Sequence, residues 1–150
     1  MNRCRLALSY IIIGLAIVSL AMAGGCAKHS QDVAEAQVQG ISIFTPTAPE
    51  FRMSPTGPMM DQVSGLVHSS KACNKCPFET KETFVKHSGT TIVIKLNKQV
   101  AWTADGRVGD TLLIIPSKSN IAFGTEDKLL EYEAEQAQVD AAMSFFGFQQ

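Results

Sequence analysis

The chain has 150 residues, 45% of them hydrophobic and 18% charged, with a formal net charge of −1. That length leaves room for one domain, and the charge balance provides no basic excess to neutralise nucleic-acid phosphates. Collagen-like, coiled-coil and wholly disordered classes fit the composition poorly. The average also hides two populations, because 17 of the first 25 residues are hydrophobic against 51 of the remaining 125. Arg3 and Arg5 precede an apolar run from Leu6 to Ala23, broken only by Ser9, Gly14 and Ser19. A positive start, an apolar middle and a small-residue exit have the layout of a secretory signal.

The exit is Ala23-Gly24-Gly25-Cys26. It resembles the lipobox of bacterial lipoprotein precursors, with Ala23 standing where leucine is favoured. The resemblance covers the signal only. It implies that residues 1–25 are removed and that Cys26 is acylated and becomes N-terminal, so that membrane lipid is the first partner. Paired acyl chains anchor stably where one chain is marginal. By the same resemblance, Ala27 in place of aspartate leaves sorting to the outer membrane open. The alternative is an uncleaved anchor, since 18 mostly apolar residues can just span a bilayer. Removal of residues 1–25 leaves 11 basic and 14 acidic residues, a net charge of −3.

Residues 26–60 read as a lipidated N-terminus and proline-rich tether. Four of the six prolines fall between Pro46 and Pro58, and X-Pro steps favour extended chain over helix. Within this stretch, SQDVAEAQVQ can form a short helix capped by Ser30 and stopped by Gly40. In an alternative reading, Ile41–Phe44 and Phe51–Met53 add extended segments to the domain.

Residues 61–150 read as a small α+β domain. A helix is expected from Pro77 to about His87, with Phe78, Phe84 and Val85 as its apolar face and Gly89 as its stop. Strands are expected at Thr90–Leu96, Lys98–Ala104, Thr111–Ile115 and Ile121–Phe123, with a turn at Asp105-Gly106. Thr111–Ile115 is a continuous apolar run, the pattern of a strand covered on both faces. Leu130, Ala134, Ala137, Ala141 and Phe145 recur at helical spacing, giving a long helix capped by Thr125. The expected architecture is an antiparallel sheet of three to five strands with the long C-terminal helix packed on one face.

Cys73-Asn74-Lys75-Cys76 is the one chemically pointed motif after the signal. In an exported chain two nearby thiols default to a disulfide, worth about 2 kcal/mol in the entropy model for so short a loop. The pair also bears a partial resemblance to the thioredoxin-like family, with a CxxC at a helix start and Ile115-Pro116 forty residues beyond Cys76. That resemblance implies a redox pair, Cys76 gaining thiolate character from a helix N-terminus. Pro77 after the second cysteine and the missing upstream tryptophan depart from it. A third reading takes His68, Cys73, Cys76 and His87 as zinc ligands. No CxxCH, phosphate-binding glycine loop, GxSxG elbow or catalytic triad pattern is present.

From Glu126 to Asp140, six acids face one Lys128, the pattern of a solvated face or a dock for a basic partner. Trp102 reads as core, and Phe148 as a group able to insert into a neighbour. These readings lead to a membrane-anchored lipoprotein of the cell envelope, facing the periplasm and without catalytic residues. It would bind or scaffold a protein partner, as in secretion or conjugation-type assemblies, and no motif asks for a cofactor. The alternatives are a tethered thiol-disulfide oxidoreductase using Cys73 and Cys76, and a zinc-binding lipoprotein.

Overall fold

The computed structural model describes residues 31–148. The signal, the lipobox-like junction with Cys26, and Ser30 lie outside the described residues. The fold is α+β, built on one antiparallel sheet of seven strands: β1 (Val38–Phe44), β2 (Phe51–Met53), β3 (Lys71–Ala72), β4 (Thr91–Ala101), β5 (Val108–Ile115), β6 (Asn120–Thr125) and β7 (Lys128–Glu133). Their order across the sheet is β2-β1-β4-β5-β6-β7-β3. Three helices accompany them: α1 (Gly57–Ser69), α2 (Lys81–His87) and α3 (Gln136–Ser144). Among the described residues no helix is long and apolar enough to cross a membrane.

Period-two alternation divides the strands between two faces. Ile41, Ile94, Leu112 and Phe123 point to a large core closed by α1 and α3. Val93, Leu113, Ile115, Ala122 and Leu129 point the other way, against Phe84 of α2. Trp102 is fully buried in the larger core, edge-on to Phe123 with 6.0 Å between ring centroids. Its Nε1–H donates to the Ser64 hydroxyl at 3.2 Å, which satisfies the one polar group on an otherwise apolar anchor.

The strand count exceeds the expected three to five because the two-residue β3 edges β7 and for two larger reasons. First, the stretch read as a tether contains β1 and β2, so Ile41–Phe44 and Phe51–Met53 do add to the sheet; Ile41 pairs with both Met53 and Ile94. The expected short helix after Ser30 is reduced to a 3-10 turn at Glu35–Gln37. The second reason lies in the C-terminal segment, where Lys128–Glu133 is a strand and the helix is only nine residues long. Glu126-Asp127 is the tight turn of the β6–β7 hairpin, and Thr125 pairs with Lys128. Leu129 and Leu130 enter opposite cores, a pattern only a strand produces. Pairing with β6 therefore prevails over the helical periodicity that Leu130 begins.

α1 was hidden by Pro58, which reads as one more tether proline but occupies the first helical turn, where its missing N–H costs nothing. Met59, Met60, Val63, Leu66 and Val67 then form its buried face. α2 starts at Lys81, with Thr80 accepting from the Thr83 N–H, and not at Pro77. Lys98–Ala104 is not a separate strand, because β4 continues to Ala101 through an irregularity between Lys95 and Val100. One close approach admits only glycine: a Cβ on Gly109 would lie 2.3 Å from the Gly124 carbonyl oxygen.

Candidate functional site

Cys73 and Cys76 form a disulfide with 5.4 Å between their Cα atoms. The loop follows β3, and the Cys73 N–H donates to the Glu131 carbonyl at 2.9 Å, tying it to β7. After the loop, Glu79 bridges Leu129 in extended conformation, and α2 begins only at Lys81. Cys76 therefore does not sit at a helix N-terminus, and the expected source of thiolate stabilisation is missing. Every strand pairing among the described residues is antiparallel, so they contain no parallel β-α-β unit of the kind the thioredoxin-like resemblance requires. Pro116 opens a 3-10 turn.

The four residues of the zinc reading do not converge. His68 lies in the last turn of α1, with Nδ1 3.5 Å from an Asp32 carboxylate oxygen and Nε2 buried without a partner among the described residues. His87 ends α2. Among the described residues no three His, Cys, Asp or Glu side chains are grouped to hold a metal ion.

Two polar constellations do form. The first is at the β4–β5 hairpin. Burial pushes the Asp105 carboxyl up, but hydrogen bonds from Thr103 and Tyr132 and from the Arg107 backbone outweigh it and hold the carboxyl below its usual range. Arg107 Nε in turn donates to the Tyr132 hydroxyl at 2.8 Å. Burial raises the Tyr132 phenol above its ordinary value, against the hydrogen bonds from Thr103 and Arg107. Phe78 lies beside this cluster, its ring centre 5.3 Å from the Arg107 guanidinium carbon and 4.7 Å from Lys128 Nζ.

The second constellation is an open groove of about 720 Å³ on the sheet face that α2 leaves uncovered. Ser42, Glu50, Arg52, Lys81, Lys95 and Glu126 line it. The Lys81 hydrogen bond, opposed by burial and helped by the Lys81 and Lys95 charges, holds the Glu126 carboxyl below its usual range. Its oxygen is 3.1 Å from Lys81 Nζ and 3.6 Å from Lys95 Nζ. Lys95 also reaches Asp110 at 3.0 Å. Glu50 accepts from Ser42 at 2.6 Å and Arg52 at 3.0 Å. These acids and bases are committed to one another, an arrangement suited to polar recognition.

Sequence reasoning did not find the groove, although a signal existed. Lys95 interrupts the apolar run of β4 in the register of Val93, and Ser42 stands opposite Val93 on β1. Phe78 was assigned to an apolar helix face but is exposed. The acid run is divided: Glu126 enters the groove, Glu131 accepts from Asn120 and Asp140 from Gln136. Phe148 is partly buried against the chain's own core. No protein family matches the chain, and neither a curated protein nor a solved structure does so.

Proposed function

We propose that the chain is a membrane-anchored envelope lipoprotein whose folded domain is a non-catalytic binding or scaffolding component. The observation that carries this reading is the junction Ala23-Gly24-Gly25-Cys26 standing five residues before Gln31, whose N–H bonds to the end of β4. A lipid-bearing Cys26 followed at once by a folded unit suits a protein whose task is to hold a partner at the membrane. The disulfide agrees with an oxidising compartment and so supports a domain that faces the periplasm; the proposal includes the outer membrane as its site in a two-membrane envelope. The groove, with both signs of charge, is the surface offered to a protein partner of a secretion or conjugation-type assembly.

Intact mass and fractionation of Cys26→Ser test the reading. The wild-type protein should begin at Cys26 with acyl chains attached and sediment with membranes. Cys26→Ser should lose the acyl mass and at least about tenfold of the cleaved, membrane-bound form, since the apolar anchoring area goes with the lipid. Unchanged membrane retention with residues 1–25 still attached would identify a plain transmembrane anchor instead.

A further inference from the structure

The chain enters the described fold at one end of the sheet. The Gln31 N–H donates to the carbonyl of Ala101, the last residue of β4, at 2.8 Å, and Val33 is already buried. Ala101 pairs with Val108 across the hairpin, and Arg107 beside Val108 approaches the Phe78 ring. Antiparallel order brings the end of β4, the start of β5, the end of β6 and the start of β7 to this same edge. The attachment point and the Phe78 cluster are therefore neighbours.

This end is also unusual in composition. Phe78 and Val108 are 48% and 57% exposed, two of the four exposed large apolar side chains among the described residues. Arg107 and Lys128 flank the Phe78 ring, and Lys75 in the disulfide loop and Lys98 before Ala101 are exposed as well. Of the acids here, Asp105 is engaged by Thr103, Tyr132 and Arg107, Glu126 by Lys81 and Lys95, and Asp110 by Lys95; Glu79 is half-buried and Asp127 is exposed.

Chain length then constrains what this end can face. Five residues from Cys26 to Gln31 span at most about 18 Å when fully extended. A domain of this size has a radius of gyration of about 13 Å, so so short a leash cannot let it turn the attachment end away from the bilayer. Resting on the lipoprotein reading, the geometry points to the hairpin end as a lipid-contact surface. Phe78 and Val108 enter the headgroup boundary of the membrane that holds Cys26, and Arg107 and Lys128 meet its phosphates. An exposed aromatic ringed by cations fits an interface that is apolar below and anionic above. The contact need not bind a membrane unaided, because the acyl anchor supplies a high local concentration.

The test uses the acylated protein in phosphatidylethanolamine–phosphatidylglycerol vesicles whose acyl chains carry bromine, a short-range quencher of tryptophan. Trp102 is the chain's one tryptophan and sets the background. Phe78→Trp should show added emission that the brominated lipid quenches about twofold or more. Lys118→Trp, in the exposed turn between β5 and β6 at the opposite end of the sheet, should not be quenched. Adding Lys128→Glu to Phe78→Trp should weaken the quenching without releasing the protein. An acylated protein that floats with the vesicles while Phe78→Trp stays unquenched overturns this surface and leaves the lipoprotein reading intact. A protein that carries no acyl mass and does not float removes both. Shielding of Phe78→Trp that appears only as protein density rises assigns the surface to a second copy and overturns the lipid assignment.

Discussion

The two faces of the sheet are made by the same strands and are finished by opposite means. Ile94 and Lys95 are adjacent in β4, yet Ile94 is fully buried in the core under α1 and α3, whereas Lys95 lines an open groove. The first face has two helices to cover it, and its largest buried side chain, Trp102, has its polar atom satisfied by Ser64. On the second face α2 is only seven residues long and its cover is limited to Phe84 and the partly buried Val85. Beyond it, the sheet shields itself with ion pairs among Lys81, Lys95, Asp110 and Glu126. Helix length thus decides where the dry core ends and the polar groove begins.

The asymmetry predicts a graded set of stability losses. Leu66→Ala, in the middle of α1 and fully buried, should cost about 4 kcal/mol in denaturant unfolding, within the usual range for a core leucine. Phe84→Ala should cost no more than about 3 kcal/mol, the low end for phenylalanine, because its cluster is smaller and lies at a rim. Equal losses at the two positions would mean that the faces are not energetically distinct. Glu126→Gln should cost less than about 1 kcal/mol, since the pairs it makes are partly open to solvent. That difference should shrink further in high salt, and a loss twice as large would make the groove a structural element.

The smallest expected effect concerns pH. The Asp105 carboxyl lies below its ordinary value of 3.8 in the fold. A depressed carboxylate contributes stability that is present above the unfolded value and is lost as pH falls toward the folded one. Stability of the wild-type protein should therefore decline below about pH 4. Asp105→Asn should be less stable near neutrality and show a shallower decline in that acid window. Parallel acid profiles for the two proteins would remove the linkage.

Much of the sheet was legible along the chain. Thr111–Ile115 read as a strand covered on both faces, and it contains Leu112 and Leu113 in opposite cores. Asp105-Gly106 read as a turn, and Gly106 has a φ of 70°. What failed did so where local signals served two structures equally well. Leu130 fits a helical repeat and also an alternating strand, and only its pairing opposite Phe123 decides between them. Pro58 fits a tether and also the first turn of a helix, and the choice depends on whether Met59 and Met60 have a core to enter. The groove was illegible for a related reason: Arg52, Lys95 and Glu126 are separated along the chain and become one site only through strand order.

The sequence by itself carried the signal-like pattern, the lipobox-like junction and the disulfide spacing, because these are contiguous patterns formed by neighbouring residues. It also determined the α+β class, through the alternation of β-branched runs with turns. Tertiary structure alone decided that residues 31–60 belong to the fold, that Lys128–Glu133 is a strand, and that Cys76 stands clear of a helix N-terminus. It also brought the point where the chain leaves for Cys26 beside Phe78, Arg107 and Lys128. The physical reason is that cross-strand pairing joins residues far apart in sequence, and the burial it provides outweighs the local preferences of any one segment.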